Sequence, residues 1–424
     1  MSMYNWNFKI NKVMCRFRPL NEKEKNFSKE LCVDFINENK IILKSQGEYN
    51  SYNFTLDRIF NSNESQQTIY EIAAKPIIES VLEGFNGTIF AFGQTSSGKT
   101  FTMQGEIDNS EKEGIIPRMI RHIFNFIQNS SEDLEYTVKV SMLEIYQEKI
   151  RDLVDTDRIN LNVREEKAKG IYVEDLSEHY VASEEEVIDI MKIGSENRAS
   201  GATNMNEHSS RSHSIFIMTI HQNNVKDLSA KTGKLFLVDL AGSEKVSKTG
   251  ATGLTLEEAK MINKSLTTLG MVINSLTDGK STHIPYRESK LTRVLQESLG
   301  GNAKTCLIIT CSPSIYNDAE TLSTLRFGMR AKKIKNKPKI NKEVTLTELK
   351  IEIERLEDNI KQKDHRIKQL ETHIKLNNLV VPSEDATFIE KNDRDDKEIQ
   401  EVHQEEVKKE EDVVLEGKNL EEEV

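Results

Sequence analysis

Residues 93–100 read GQTSSGKT, a string that dictates a local fold more narrowly than any other stretch of the chain. Gly93 and Gly98 let the backbone turn so that successive N–H groups along Gln94, Thr95, Ser96 and Ser97 point at phosphate oxygens. The motif works only between a strand and a helix. The run TIFAF at 88–92 precedes it, and a helical FTM start, beginning with Phe101, follows. The helix N-terminus adds partial positive charge. Lys99 is expected to reach the β- and γ-phosphates and the Thr100 hydroxyl to ligate Mg2+. Such loops serve kinases, ATPases and GTPases alike, so this one establishes a nucleoside triphosphate site without naming the reaction.

Around it, short β-branched apolar runs at 12–17, 88–92, 137–145, 214–221, 235–240 and 305–311 are expected to be buried strands. Residues 65–82, 184–195, 255–276 and 289–299 are expected to be helices. Mixed in this way, they predict an α/β fold with helices on both faces of a sheet. Stretches bearing Gly and Pro at 114–117, 279–285 and 300–302 are expected to be loops. A hydrophobic content of 37% over 424 residues is enough for a sizeable core. The four cysteines, Cys15, Cys32, Cys306 and Cys311, have no CxxC pair and no histidine at metal spacing, so reduced core thiols are expected. No apolar run has signal-peptide or membrane-spanning length, from which a soluble, cytoplasmic protein is expected.

The net charge of −11 belongs to one end of the chain. Residues 383–424 carry 17 acidic against 6 basic side chains, so the preceding residues are neutral overall and the global charge excludes no acidic partner for them. Residues 331–342, AKKIKNKPKINK, are basic, contain Pro338 and lack a helical period; an extended linker is expected. Beyond it Leu346, Ile353, Ile360, Ile367 and Ile374 recur every seven residues, with Leu349, Leu356, Lys363, Leu370 and Asn377 offset by three. Isoleucine at a with leucine at d favours a parallel two-stranded coiled coil, weakened here by Lys363 and Asn377. The alternative is a single amphipathic helix packed on the body. After Pro382 the acidic, aromatic-poor segment is expected to be disordered.

Two further motifs narrow the chemistry. DLAGSE, 239–244, follows the strand-like LFLVD and puts the Asp239 carboxylate at a strand's C-terminal end, where it can hold Mg2+ through water. Gly242 can offer its backbone N–H to the γ-phosphate with no side chain in the way. NEHSSRSH, 206–213, precedes another strand and gathers hydroxyls, an arginine and a histidine within eight residues.

In this order and spacing, GQTSSGKT, NEHSSRSH and DLAGSE resemble the P-loop, switch I and switch II of the kinesin motor domain. CRFRP (15–19), MLEIYQEKIRDLVD (142–155), INKSLTTLG (262–270), HIPYRESKLTR (283–293) and TLRFGMRAKKIKN (324–336) resemble further kinesin blocks. The likeness spans roughly residues 8–345 and is nearest to conventional, fungal-type kinesins. It implies a P-loop NTPase motor fold with a central, mostly mixed β-sheet over 1–330, a neck linker at 331–345, a neck coiled coil at 346–377 and an acidic disordered tail at 378–424. Arg16, Arg18 and Pro19 would border adenine and ribose, with Phe101 stacking where the family usually has histidine. Ser210 would ligate Mg2+, Ser209 would lie near the γ-phosphate, and Arg211 would pair with Glu244. That pair lets Glu244 accept a proton from the attacking water through a second water.

The resemblance further implies a microtubule-stimulated, plus-end-directed ATPase motor using ATP and Mg2+, acting as a homodimer on cytoplasmic microtubules, without nucleic acid or membrane insertion. Microtubules are acidic, and Lys149, Lys245, Lys248, Arg287, Lys290 and Arg293 are the expected basic contacts. In the neck linker Ile334 would be the apolar plug and Asn341 the latch, with residues 4–8 as a cover strand. Pro338 would remove one donor from the docked strand and weaken docking. Two other classes stay open: a non-motile tubulin-binding protein, and a P-loop GTPase or kinase. The second is disfavoured by SSRSH and by the helical setting of NKSL at Asn263.

Overall fold

The computed structural model describes residues 11–45, 50–166, 170–200, 210–244, 254–343 and 346–376, and the chain separates into two units, residues 1–345 and 346–424. The first unit opens with β1 (Asn11–Phe17), α1 (Glu22–Phe27), β2 (Val33–Asn37), β3 (Lys40–Ser45), β4 (Asn50–Thr55) and β5 (Arg58–Phe60). Helices α2 (Gln66–Ile69) and α3 (Lys75–Leu82) precede β6 (Gly87–Phe92); α4 (Lys99–Met103) and α5 (Ile115–Gln128) follow it. Next come β7 (Leu134–Tyr146), β8 (Lys149–Asp152), β9 (Ile159–Leu161), β10 (Val163–Glu166), β11 (Gly170–Val173) and β12 (His179–Val181). The unit continues through α6 (Glu184–Ser200), β13 (His213–Asn224), β14 (Ala230–Asp239), α7 (Leu254–Thr277) and α8 (Lys290–Val294). It closes with β15 (Lys304–Cys311), α9 (Asp318–Ala331) and β16 (Lys342–Glu343).

The main sheet runs β5-β1-β15-β6-β14-β13-β7-β8-β9, with β12 added to β7 and β16 to β14. Pairing from β5 to β14 is parallel, and every pairing beyond β14 is antiparallel, so the sheet is mixed as expected. Its central strands are buried on both faces, which explains their unbroken apolar runs. In β6, Phe90 and Phe92 join one core with α7 and α9, while Ile89 and Ala91 join the other with α3 and α5. Parallel β6 and β14 end at the same sheet edge, and the loops after them build the site.

Several expectations need correction. The loop expected at 114–117 begins a helix: Gly114 is the N-cap of α5, and Pro117 lies in its first turn, where a missing N–H breaks no bond. The helix expected over 65–82 contains a π turn at Tyr70–Ala74. Pro76, one residue past the Lys75 that closes this turn, has no N–H to give back to it, which fits the wider winding. The helix expected over 289–299 ends at Val294 and continues as a 3-10 turn, Gln296–Ser298. There the Ser298 carbonyl accepts from Thr305 and Asn336 side chains, at 2.9 and 3.1 Å, in place of a helical N–H. Helix α9 runs through Ala331, so the linker starts one residue later than expected.

All four cysteines are free and buried, as expected. No helix among the described residues is long and apolar enough to cross a membrane. The second unit contains α10 (Leu346–Leu376), a single helix on which Ile353, Leu356, Ile360, Ile367 and Leu370 are exposed. The expected tail, the 4–8 cover strand, and Ser209, Lys245, Lys248 and Asn377 lie outside the described residues.

Candidate functional site

The P-loop leaves β6 at Gly93, where a Cβ would overlap the Thr310 carbonyl oxygen of β15. Ser96 and Gly98 are both left-handed, at φ 58° and 101°, and Gly98 is the N-cap of α4. The Ser97 hydroxyl bonds the Thr310 hydroxyl at 2.6 Å, tying the loop to the sheet. Lys99 is only 6% exposed, and its Nζ donates to the carbonyls of Gly93 and Gln94, both at 3.0 Å. Burial lowers its pKa, while Asp239 and Glu244 pull it back up. The ammonium is thus folded over the loop's mouth, held by the backbone that it would leave for a phosphate.

Asp239, at the end of β14, accepts from the Thr100 hydroxyl at 2.7 Å and from Arg198 at 2.9 Å, both through Oδ2. Its Oδ1 is buried and has no hydrogen-bond partner. A hydrated divalent cation would satisfy that orphaned oxygen, and the neighbouring oxygen-only donors suit Mg2+. The residues present therefore fit the expected metal. Arg198, on α6, was not singled out from the sequence. It is 4% exposed, also donates to the Ser212 carbonyl at 3.1 Å, and links the Asp239 carboxylate to the start of β13.

The described ends of the two expected switch segments, at Ser210 and Gly242, meet beside the P-loop. Gly242 donates its N–H to the Ser210 carbonyl at 2.7 Å, so here it faces switch I and not a phosphate position. Ser243 donates to the Gly93 carbonyl at 3.2 Å. A Cβ on Gly242 would come within 2.5 Å of the Glu244 carboxylate, so any larger residue there would have to displace that side chain. The expected pairing of Glu244 with Arg211 is replaced: both Glu244 oxygens accept from Thr95, one from its N–H at 2.8 Å and one from its hydroxyl. Thr95 offers two converging donors from the P-loop, which a carboxylate takes in bidentate fashion. His213 ends the SSRSH motif inside the core. Its Nδ1 accepts from Ala241 N–H at 3.0 Å, which leaves the proton on Nε2 to donate to Ser265 on α7 at 2.7 Å.

On the other side of the loop, the Arg16 guanidinium lies 5.1 Å from the Phe101 ring centre and donates to Thr102 at 2.8 Å. Burial lowers its pKa to about 10. Phe101 is 40% exposed, leaving a ring face open to a base. Arg18 is fully engaged, donating to the Ser96 and Pro19 carbonyls at 2.7 and 2.8 Å and forking onto Glu24. Burial raises the Glu24 pKa, but the bonds from Arg18, Ser312 and Asn21 outweigh it and hold the carboxyl at about 2. Arg18 thus braces the wall beside Pro19 more than it reaches outward.

Of the expected basic contacts, Lys149 is exposed at the start of β8, Arg287 has 78% of its side chain exposed and lies 3.6 Å from the Glu165 carboxylate, and Lys290 is half-buried. Arg293 differs: 13% of its side chain is exposed, and it is bound to Glu165 and Gln296. Residues 334–343 lie along the body. Ile334 is buried beside Leu269, Ile273 and Phe327. Donors alternate: Lys337 N–H bonds the Gly301 carbonyl at 2.9 Å, Lys339 N–H the Asn302 side chain, and Asn341 N–H the Gly84 carbonyl at 2.9 Å. Pro338 falls between them, where the docked strand uses no donor, so the expected weakening has no basis here. The Asn341 amide bonds Asn86 at 2.8 Å and the Thr232 carbonyl at 2.9 Å. Asn336, which sequence reasoning passed over, is 3% exposed and donates to Ser298, Ala303 and Thr305 while accepting from Asn11 and Gly300.

The family model for the kinesin motor domain matches residues 16–334. Kinesin-related protein 3 of Dictyostelium discoideum is 58% identical over 364 residues, covering 85% of this chain and 30% of that protein. The kinesin heavy chain of Neurospora crassa is 54% identical over 366 residues, covering 86% and 39%. A solved structure of a fast kinesin is 56% identical with a TM-score of 0.75, covering 80% of this chain and 95% of that one. The chain spans about a third of the length of the curated relatives it matches. On the family model and these relatives alike, the chain belongs to the kinesin motor domain family.

Proposed function

We propose that the chain is a microtubule-stimulated ATPase that turns ATP hydrolysis into plus-end-directed movement along cytoplasmic microtubules, acting as a homodimer joined through 346–377. The observation that carries this reading is the Gly242 to Ser210 hydrogen bond, which joins the two switch loops above the P-loop. A change at the phosphate position is then felt by both. The solved relative is described in terms of an ATPase mechanism and interactions with microtubules.

In this reading Gly93 to Thr100 bind the phosphates, Arg16, Arg18 and Pro19 border base and ribose, and Phe101 stacks on the base. Thr100, Ser210 and, through water, Asp239 would hold Mg2+, which supplies charge neutralisation at the phosphate oxygens. Lys99 leaves its two carbonyls for the β- and γ-phosphates. Glu244 exchanges Thr95 for Arg211 and accepts the proton of the attacking water through a second water, beside Ser209, while the Gly242 N–H stays with the Ser210 carbonyl. Phosphoryl transfer needs mainly positioning and charge stabilisation, which these groups provide. Ile334 and Asn341 then fasten the neck linker, while Lys149, Lys245, Lys248, Arg287, Lys290 and Arg293 form the microtubule side.

A gliding assay on polarity-marked microtubules tests catalysis, track binding and direction together. Plus-end-directed transport is expected, and Lys99→Ala should lower turnover ~100-fold or more. Wild-type turnover by that variant would remove the assignment.

A further inference from the structure

The turn from β7 to β8 is made by Gln147 and Glu148, both at positive φ, 50° and 60°. Non-glycine residues seldom adopt two such angles in succession, and a hairpin turn that requires them favours Asn or Gly. Here the side chain of the turn is anchored from outside the hairpin. Glu148 Oε1 accepts from the Ser289 hydroxyl at 2.8 Å, and Oε2 accepts from the Lys290 backbone N–H at 2.7 Å. Ser289 is itself 2% exposed and caps α8 through the Leu291 N–H at 3.2 Å. The residue after the turn is exposed Lys149, and the first residue of α8 is Lys290.

We propose that Glu148 is a positioning residue for the microtubule-facing surface, clamping the Lys149 turn to the Lys290 end of α8 so that their charges form one surface for an acidic polymer. The inference rests on the microtubule reading above. Its sign separates it from plain electrostatics. Glu148 adds a negative charge beside a surface that meets negative charge, so charge deletion alone strengthens binding. Loss of the clamp weakens binding, because Lys149 and Lys290 no longer keep a fixed separation and the turn is free to relax from its left-handed angles.

Stimulated turnover of the full chain is measured against microtubule concentration for Glu148→Ala, Glu148→Gln, Lys149→Ala and the Glu148→Ala/Lys149→Ala pair. Glu148→Ala should raise the half-maximal microtubule concentration roughly threefold or more, with the maximal rate held. Glu148→Gln keeps one acceptor oxygen and should fall between wild type and Ala; it also carries the comparison if Glu148→Ala melts early. Lys149→Ala should lose less affinity in the Glu148→Ala background than in the wild type, the non-additivity expected of coupled groups. A lowered half-maximal concentration for Glu148→Ala, or equal Lys149→Ala effects in both backgrounds, overturns the clamp. A wild-type chain that microtubules do not stimulate overturns the microtubule reading itself and the clamp with it.

Discussion

A neutral imidazole is required at His213, because its Nδ1 accepts the Ala241 N–H while its Nε2 donates to Ser265. Protonation would set two N–H groups against each other in a buried site beside switch II. Burial first, and the nearby Arg198 charge second, lower its pKa to about 3. The unfolded chain, at the ordinary value of about 6.5, therefore binds a proton that the folded chain refuses. The stability contributed by His213 is complete above pH ~6.5 and is lost as pH falls toward about 3. Carboxylates are mostly ionised above pH ~5, and burial also lowers the His122 pKa, so between there and ~6.5 His213 contributes up to about 1.4 kcal/mol per pH unit on top of a smaller slope of the same sign. Urea unfolding across that interval should show a clearly smaller slope in His213→Asn, whose amide oxygen can still accept from Ala241, than in the wild type. Equal slopes in both proteins would remove the imidazole from the argument.

The segment from Ile334 to Glu343 turns sequence into mechanics through alternation. Because donors at 337, 339 and 341 face the body, Pro338 stiffens the free segment without removing a bond that the docked one uses. Pro338→Ala should therefore weaken docking slightly, by about 0.4–1 kcal/mol, through the gained freedom of the undocked chain. Asn336→Ala strands several buried partners and should weaken it more, by about 1–3 kcal/mol. Spin labels on the segment, read as docked and undocked populations, check both; a stronger docked state for Pro338→Ala would contradict the alternation. Asn336 also marks where sequence reading stops. The six core strands were legible because each is a short apolar run buried on two faces, and the P-loop because its chemistry is local. Helix α5 was missed since GIIP looks like a loop until Gly114 is seen as a cap. Arg198 and Asn336 were missed because their partners lie on other elements, and no spacing in their own segments points to them.

At the scale of the whole chain, the acidic and apolar excesses both fall outside the body. Residues 383–424 account for the net charge, and α10 leaves Ile353, Leu356, Ile360, Ile367 and Leu370 between 46% and 58% exposed. A single copy has no use for such a stripe at every third and fourth position, whereas two copies can bury it on each other. Five half-exposed side chains from each of two helices give about 10 kcal/mol of burial at about 1 kcal/mol each. Association takes back at least ~4 kcal/mol, and Lys363 in the d series weakens the middle of the seam. The remainder, at most ~6 kcal/mol, corresponds to a dissociation constant in the range of about 40–400 μM. Sedimentation equilibrium should therefore find a mass that rises from monomer toward dimer over that range of concentration. Ile360→Lys, which would put a second charge into the seam one layer from Lys363, should hold the chain monomeric throughout. A wild-type chain that stays monomeric at several hundred micromolar would leave α10 as a lone helix and end the case for a dimer.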